Sequence, residues 1–201
     1  MTNRKPISLG VLAAALAGAA FLLADLPAQV HAQADAAWQP KWTAQGELVL
    51  PAGYHEWVFL GSPITPNAMN GGKAAFPEYH NVYVHPAVFR LYRKTGTWPE
   101  GTILLKELQL SQPGTHPDGS SVEVSGRGYF PAARNGIDIS VKDSRRFKDT
   151  DGWGFFNFGH HAPPYARTAA AQPKDACAGC HMANATRMVF SKFYAPILDA
   201  K

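Results

Sequence analysis

Cysteine is scarce in this 201-residue chain: it has 2, both within one five-residue stretch. No thiol remains for a structural disulfide, and without a second Cys pair there is no zinc ribbon. Charge is sparse as well, at 17% of residues, with a formal net charge of +4. No run of Lys or Arg follows a phosphate backbone, so a nucleic-acid partner is not expected. Internal repeats and long low-complexity segments are absent, which argues against a repeat architecture.

One long apolar run is present, at the N-terminus. Arg4 and Lys5 precede a stretch rich in Ala and Leu from Ile7 to about Leu26. Pro27 follows, then Val30-His31-Ala32, with Ala32-Gln33-Ala34 as a second small-residue site. This is the pattern of a cleaved secretory signal peptide over residues 1–32. An uncleaved anchor is the alternative, since the run nearly reaches spanning length; Asp25 and Pro27 break it and favour cleavage. Residues 33–201 then form the mature chain, 169 residues with 17 basic and 14 acidic side chains. That length suits one domain with its own core. A periplasmic location follows, with no membrane attachment after cleavage.

Both cysteines fall in Cys177-Ala178-Gly179-Cys180-His181. C-x-x-C-H is the attachment signature of a c-type haem: two thiols for the vinyl groups, and a histidine for the iron. A thioredoxin-type redox pair is the competing reading, but it expects a βαβ context. Here the motif follows a loop rich in Pro and Ala near the C-terminus. One covalent haem c is therefore expected, held by Cys177 and Cys180 with His181 as iron ligand. Export and this motif support each other, because c-type haem is attached outside the bacterial cytoplasm.

The rest of the chain reads as mainly antiparallel β with a few helices and a haem-bearing C-terminal helix; α+β is the alternative description. Strands are expected at 47–50, 55–60, 80–84, 102–110, around 126–131 and 137–141, and at 153–158. Pro86 and Gly96 bracket a helix, with Val88, Leu91 and Tyr92 on one face. Residues 61–77 form a long loop, a length that often carries function. The haem motif opens a last helix running towards Tyr194 and stopped near Pro196. Small electron-transfer cytochromes of this motif are mostly helical, so the β content is unusual.

Within the strand at 102–110, side chains alternate. Lys106 shares a face with Leu104, Leu108 and Leu110; Glu107 shares the other with Ile103 and Leu105. Burying a lysine as a cation is costly, and its neutral amine is nucleophilic. A snorkelling edge-strand lysine, or a Lys–Glu pair across strands, is the more ordinary explanation of the pattern taken alone. His80 shares a face with Val82 and Val84, pointing either into a pocket or to a structural partner. Asp138 lies opposite Ile137 and Ile139, in a pocket or in solvent. His160-His161 sits in a loop beside prolines, with no acidic or Cys partner in sequence to complete a metal site. Met182 adjoins the axial His, and Met188 reads as core on the same helix. Without a distal Met, an open iron position is favoured.

Several segments together resemble the cytochrome P-460 family: Gly53-Tyr54-His55-Glu56-Trp57, Ile64-Thr65-Pro66-Asn67, Gly72-Lys73-Ala74-Ala75-Phe76, Asn81-Val82-Tyr83-Val84, Gly101 to Leu108, Gly126 to Phe130, Val141 to Ser144, and the haem motif followed by Met188-Val189-Phe190. The resemblance implies a β-rich, periplasmic, usually dimeric c-type haem protein. Some members oxidise hydroxylamine and carry a bond from a lysine to the porphyrin. Lys106 falls where that lysine is expected, Asp138 where the enzymes place a pocket glutamate, and His80 near a pocket arginine. The last two depart from the pattern in reach and in charge. Related beta-type cytochrome c prime proteins lack the lysine and bind nitric oxide or carbon monoxide under an aromatic cap, a place Phe76 or Phe59 would fill here. The resemblance thus implies a small nitrogen-oxide substrate or ligand and a small soluble cytochrome as electron acceptor. Gas binding without turnover, and simple electron transfer, are the competing readings.

Overall fold

A computed structural model describes residues 38–200, so the expected signal peptide lies outside the described residues. In chain order the strands are β1 (Leu48–Val49), β2 (Val58–Gly61), β3 (Tyr79–Val84), β4 (Ile103–Ser111), β5 (Ser121–Glu123), β6 (Gly126–Gly128), β7 (Pro131–Lys142), β8 (Trp153–Asn157) and β9 (Thr168–Ala169). The helices are α1 (Pro86–Thr95), α2 (Ala178–Asn184) and α3 (Ala195–Leu198). The fold is mainly β, as expected. None of the described helices is long and apolar enough to cross a membrane.

Five strands form one antiparallel sheet in the order β2-β3-β4-β7-β8. β4 is its centre because it is apolar on both sides: Ile103, Leu104, Leu105 and Leu108 are all buried. A strand covered on both faces needs an apolar run rather than strict alternation. One face carries Leu48, Ile103, Leu105, Ile137, Ile139, Val141, Phe156 and Phe158 in a single cluster. The other carries Val82, Val84, Leu104 and Phe155, packed with Ala178, Met188 and Val189 of the haem-motif region. Trp38 closes that second cluster, and Trp42 packs at the edge of the first. Phe156 is almost wholly buried in the first cluster. Its replacement by Ala is expected to cost about 3–5 kcal/mol, read from the midpoint of urea unfolding.

α1 begins and ends where its composition dictates. Pro86 takes the first turn, the Ala87 N–H donates to His85 Nδ1, and Gly96 closes the helix in the left-handed region at φ 67°. Leu91 does not join the buried face: Trp98 stacks on Tyr92 at 3.9 Å and covers that flank, leaving Leu91 outside.

Three expected boundaries are corrected, and one strand position proves exposed. The strand at 55–60 shrinks to β2, because Tyr54–Glu56 is a 3-10 turn. That turn follows Gly53 at φ 69° and carries the Tyr54 hydroxyl onto Glu107, to which it donates at 2.6 Å. Residues 126–131 split between the β5–β6 hairpin and the start of β7, and β7 itself is continuous over 12 residues. Leu110, on a half-exposed stretch of β4, lies outside the core. The last helix stops at Asn184, where the side-chain amide donates to the Cys180 carbonyl and competes with further helix. Arg187 and Met188 then adopt positive φ, and a separate 3-10 turn and α3 complete the chain.

Candidate haem site

Register builds the site. In β3, β4 and β7, Val82 and Asp138 both pair with Lys106, so all three lie side by side on one face. β8 adds Asn157 opposite Asp138 and Phe155 opposite Ser140. α2 and the segment after it pack on this same face, through Ala178, Met188 and Val189. The motif residues therefore meet the face that carries Lys106.

His181 is prepared as an axial ligand. Its Nδ1 lies 2.8 Å from the Met188 carbonyl oxygen. A carbonyl only accepts, so Nδ1 holds the proton and Nε2 is left with its lone pair. A continuing helix could not fold residue 188 back onto residue 181; the positive φ of Arg187 and Met188 makes that reversal. Met188 is thus core, as expected, but off the helix, and its backbone rather than its sulfur serves the site. Phe155 and Phe190 flank the imidazole at 4.5 and 4.9 Å. Burial, reinforced by Lys106 against the Met188 hydrogen bond, pushes His181 below the ordinary histidine value. The neutral ring is the ligating form.

Cys177 caps α2, half-buried, and Cys180 is exposed one turn on. Burial raises the Cys177 thiol above its usual range, and Asp138 and Lys106 both act on it electrostatically. Two free thiols one turn apart, a histidine with Nε2 available and an apolar sheet face opposite make a donor set that fits a haem. Among the described residues no three His, Cys, Asp or Glu side chains cluster to hold a bare metal ion.

Lys106 is neither a snorkelling edge residue nor paired with a glutamate. Its Nζ lies 2.9 Å from Asp138 Oδ2, with both side chains about three-quarters buried. The Phe76 ring, from the long loop, covers the ammonium at 4.1 Å. Phe59 does not: it pairs with Tyr83 and packs on that ring, on the far side of the sheet. Asp138 also accepts from Asn157 Nδ2 at 2.7 Å and meets His160 Nε2 at 3.1 and 3.2 Å. Burial works against its charge, but the His160 hydrogen bond and the Lys106 ammonium together hold the carboxyl well below the usual carboxylate range. It is an ionised pocket residue, not a solvent-facing one.

His80 sits on the site face beneath Phe76, its Nε2 3.3 Å from the Phe76 carbonyl. Burial, then Lys106, lowers it below the ordinary histidine value. The arginine charge that the family pattern expects here is absent. His160 is the residue that chain order hides: nothing near it in sequence is acidic, yet the β7–β8 pairing brings Asp138 to it. The alternating 137–139 pattern marked Asp138, but no local signal marked its partner. Two surface clefts, of about 360 and 670 Å³, do not include Lys106, Asp138 or His181, but the smaller reaches Phe155 and Ala178 beside the haem motif. Met182 is exposed.

The family profile for cytochrome P460 matches residues 51–191, a span that holds every residue of this site. No curated protein matches the sequence. With a sheet face of Lys106 and Asp138 set against Cys177, Cys180 and His181, and the family profile covering most of its length, the chain belongs to the cytochrome P460 family and is a haem cytochrome.

Proposed function

We propose that this protein is a periplasmic c-type cytochrome that oxidises hydroxylamine, or nitric oxide, at an open iron position. Cys177 and Cys180 would hold the haem covalently, His181 would ligate its iron, and Lys106 would bond the porphyrin ring. The observation that carries this reading is Lys106 itself: a lysine on the sheet face that meets the haem motif, capped by Phe76 and held by Asp138. An electron carrier has no use for such an arrangement.

Haem, once bound, supplies the redox chemistry; the chain supplies orientation, proton handling and exclusion of water. The Met188 carbonyl fixes the His181 ring. Phe76 shields Lys106 from solvent. Asp138, ionised and turned to this face, accepts protons that hydroxylamine releases as it is oxidised. His80, as a neutral ring, holds the Phe76 loop and lines the pocket. Electrons leave to a small soluble cytochrome, and a homodimer is the expected assembly from the family pattern.

The test is the ferrous absorption spectrum of the purified exported protein, with intact mass and hydroxylamine turnover under a chemical oxidant. Expected are one haem, a Soret band well to the red of an ordinary c-type haem, a shift with carbon monoxide, and turnover. An ordinary spectrum that shifts with carbon monoxide, without turnover, assigns gas binding instead. A spectrum indifferent to carbon monoxide assigns electron transfer.

A further inference from the structure

We infer that His160 is the proton outlet of this site, taking protons from the Asp138 carboxyl and releasing them to solvent. The inference rests on reading Asp138 as the proton acceptor of the haem face, and it adds the step that acceptor needs. A carboxylate receiving protons in successive turnovers must lose them, and three side chains bond to Asp138. Lys106 has no lone pair as an ammonium, and bonded to the porphyrin its conjugated nitrogen is too weakly basic to relay a proton; the Asn157 amide does not carry a proton. Only the His160 ring can take a proton at one nitrogen and give one up at the other.

Exposure gives the direction. The Asp138 and Lys106 side chains are 23% and 24% exposed, whereas His160 is 43% exposed. Phe76 sits over Lys106 and edge-on to both His80 and His160, at 5.7 and 6.0 Å. The room for the ring is built in. At Gly136, on β7 beside it, a Cβ would meet His160 Cδ2 at 3.0 Å and the Gly159 carbonyl at 2.9 Å. Charged and titratable groups facing His160 come from three elements: Asp138 on β7, Lys106 on β4, and Glu78 just before β3. His80 lies across the Phe76 ring and makes no bond to Asp138. Chiefly through its hydrogen bond to Asp138, His160 is raised above the ordinary histidine value while Asp138 is lowered. A proton that reaches the pair therefore passes to the ring rather than staying on the carboxyl. The transfer balances simply: the carboxyl proton moves to Nε2, Nδ1 releases its own to water, and carboxylate and neutral imidazole are regenerated with no change of oxidation state.

Cyanide binding to the ferric holoprotein tests this without hydroxylamine turnover, because hydrogen cyanide must shed its proton as it binds. The expected wild-type rate carries a step in the histidine pH range. His160→Gln retains an amide that can donate to Asp138 but cannot relay a proton. It is expected to lose the step and to bind about tenfold or more slowly at neutral pH. Added imidazole is expected to restore the rate in His160→Gly. A wild-type profile in His160→Gln overturns the proposal. If Asp138→Asn slows binding while His160→Gln does not, the outlet alone fails. If neither slows it, the proton-acceptor role of Asp138 fails with it.

Discussion

Lys106→Leu is expected to return the ferrous spectrum to that of an ordinary c-type haem and to reduce hydroxylamine turnover to background. Leucine suits the position: it lies in register with Val82 and beside Leu104, on a face already lined with apolar side chains. The fold should therefore survive, and far-UV circular dichroism should match the wild type. Asp138 would lose its ammonium partner but keep Asn157 and His160. Intact mass provides an independent check. If Lys106 is bonded to the porphyrin, a tryptic peptide containing residue 106 carries haem in the wild type and not in the variant. A variant with an unchanged Soret position and a haem-free wild-type peptide would sink the cross-link, leaving Lys106 as the counter-ion of a gas-binding pocket.

Asp138→Asn is expected to lower hydroxylamine turnover by roughly a hundredfold or more, the usual scale for removing a proton-transfer group. The amide preserves shape and a hydrogen bond with Asn157, so binding of carbon monoxide should be little changed. Stability should fall by roughly 1–3 kcal/mol, between the values for exposed and fully buried ion pairs, because Lys106 and His160 lose the carboxylate they bond. The pH dependence has a definite sign. Asp138 is lowered in the folded protein, so its contribution is present above its ordinary value of 3.8 and is lost as pH falls through the lowered one. His160 is raised, so its contribution is present below 6.5 and is lost as pH rises through the raised value. Both limbs should flatten in Asp138→Asn, as followed by urea midpoints across pH. A variant whose stability keeps the wild-type pH profile would show that neither pairing contributes to it.

Some of this molecule is legible from short stretches of chain. The haem motif depends on spacings within five residues. α1 depends on Pro86 at one end and Gly96 at the other. The face assignments along β4 depend on period two, and they correctly separate Lys106 from Glu107. The Glu107 side of the sheet even forms its own buried polar group, with Tyr54 donating to the carboxylate and His55 and Arg134 nearby. The last helix was less legible. Its composition permits helix as far as Tyr194, and only the bond between His181 and the Met188 carbonyl requires the turn.

By itself, then, the order of residues determined the haem-binding chemistry, the β character and the side of the strand on which Lys106 stands, since each follows from steric and covalent rules acting over a few residues. Only the tertiary structure decided that Asp138, not a glutamate, partners Lys106, that Phe76 rather than Phe59 covers it, and that His160 completes the group. These contacts are set by the registers of β4, β7 and β8 and by the path of two loops. The free energy that selects a register is summed over the whole buried sheet, so no single stretch of the chain encodes it.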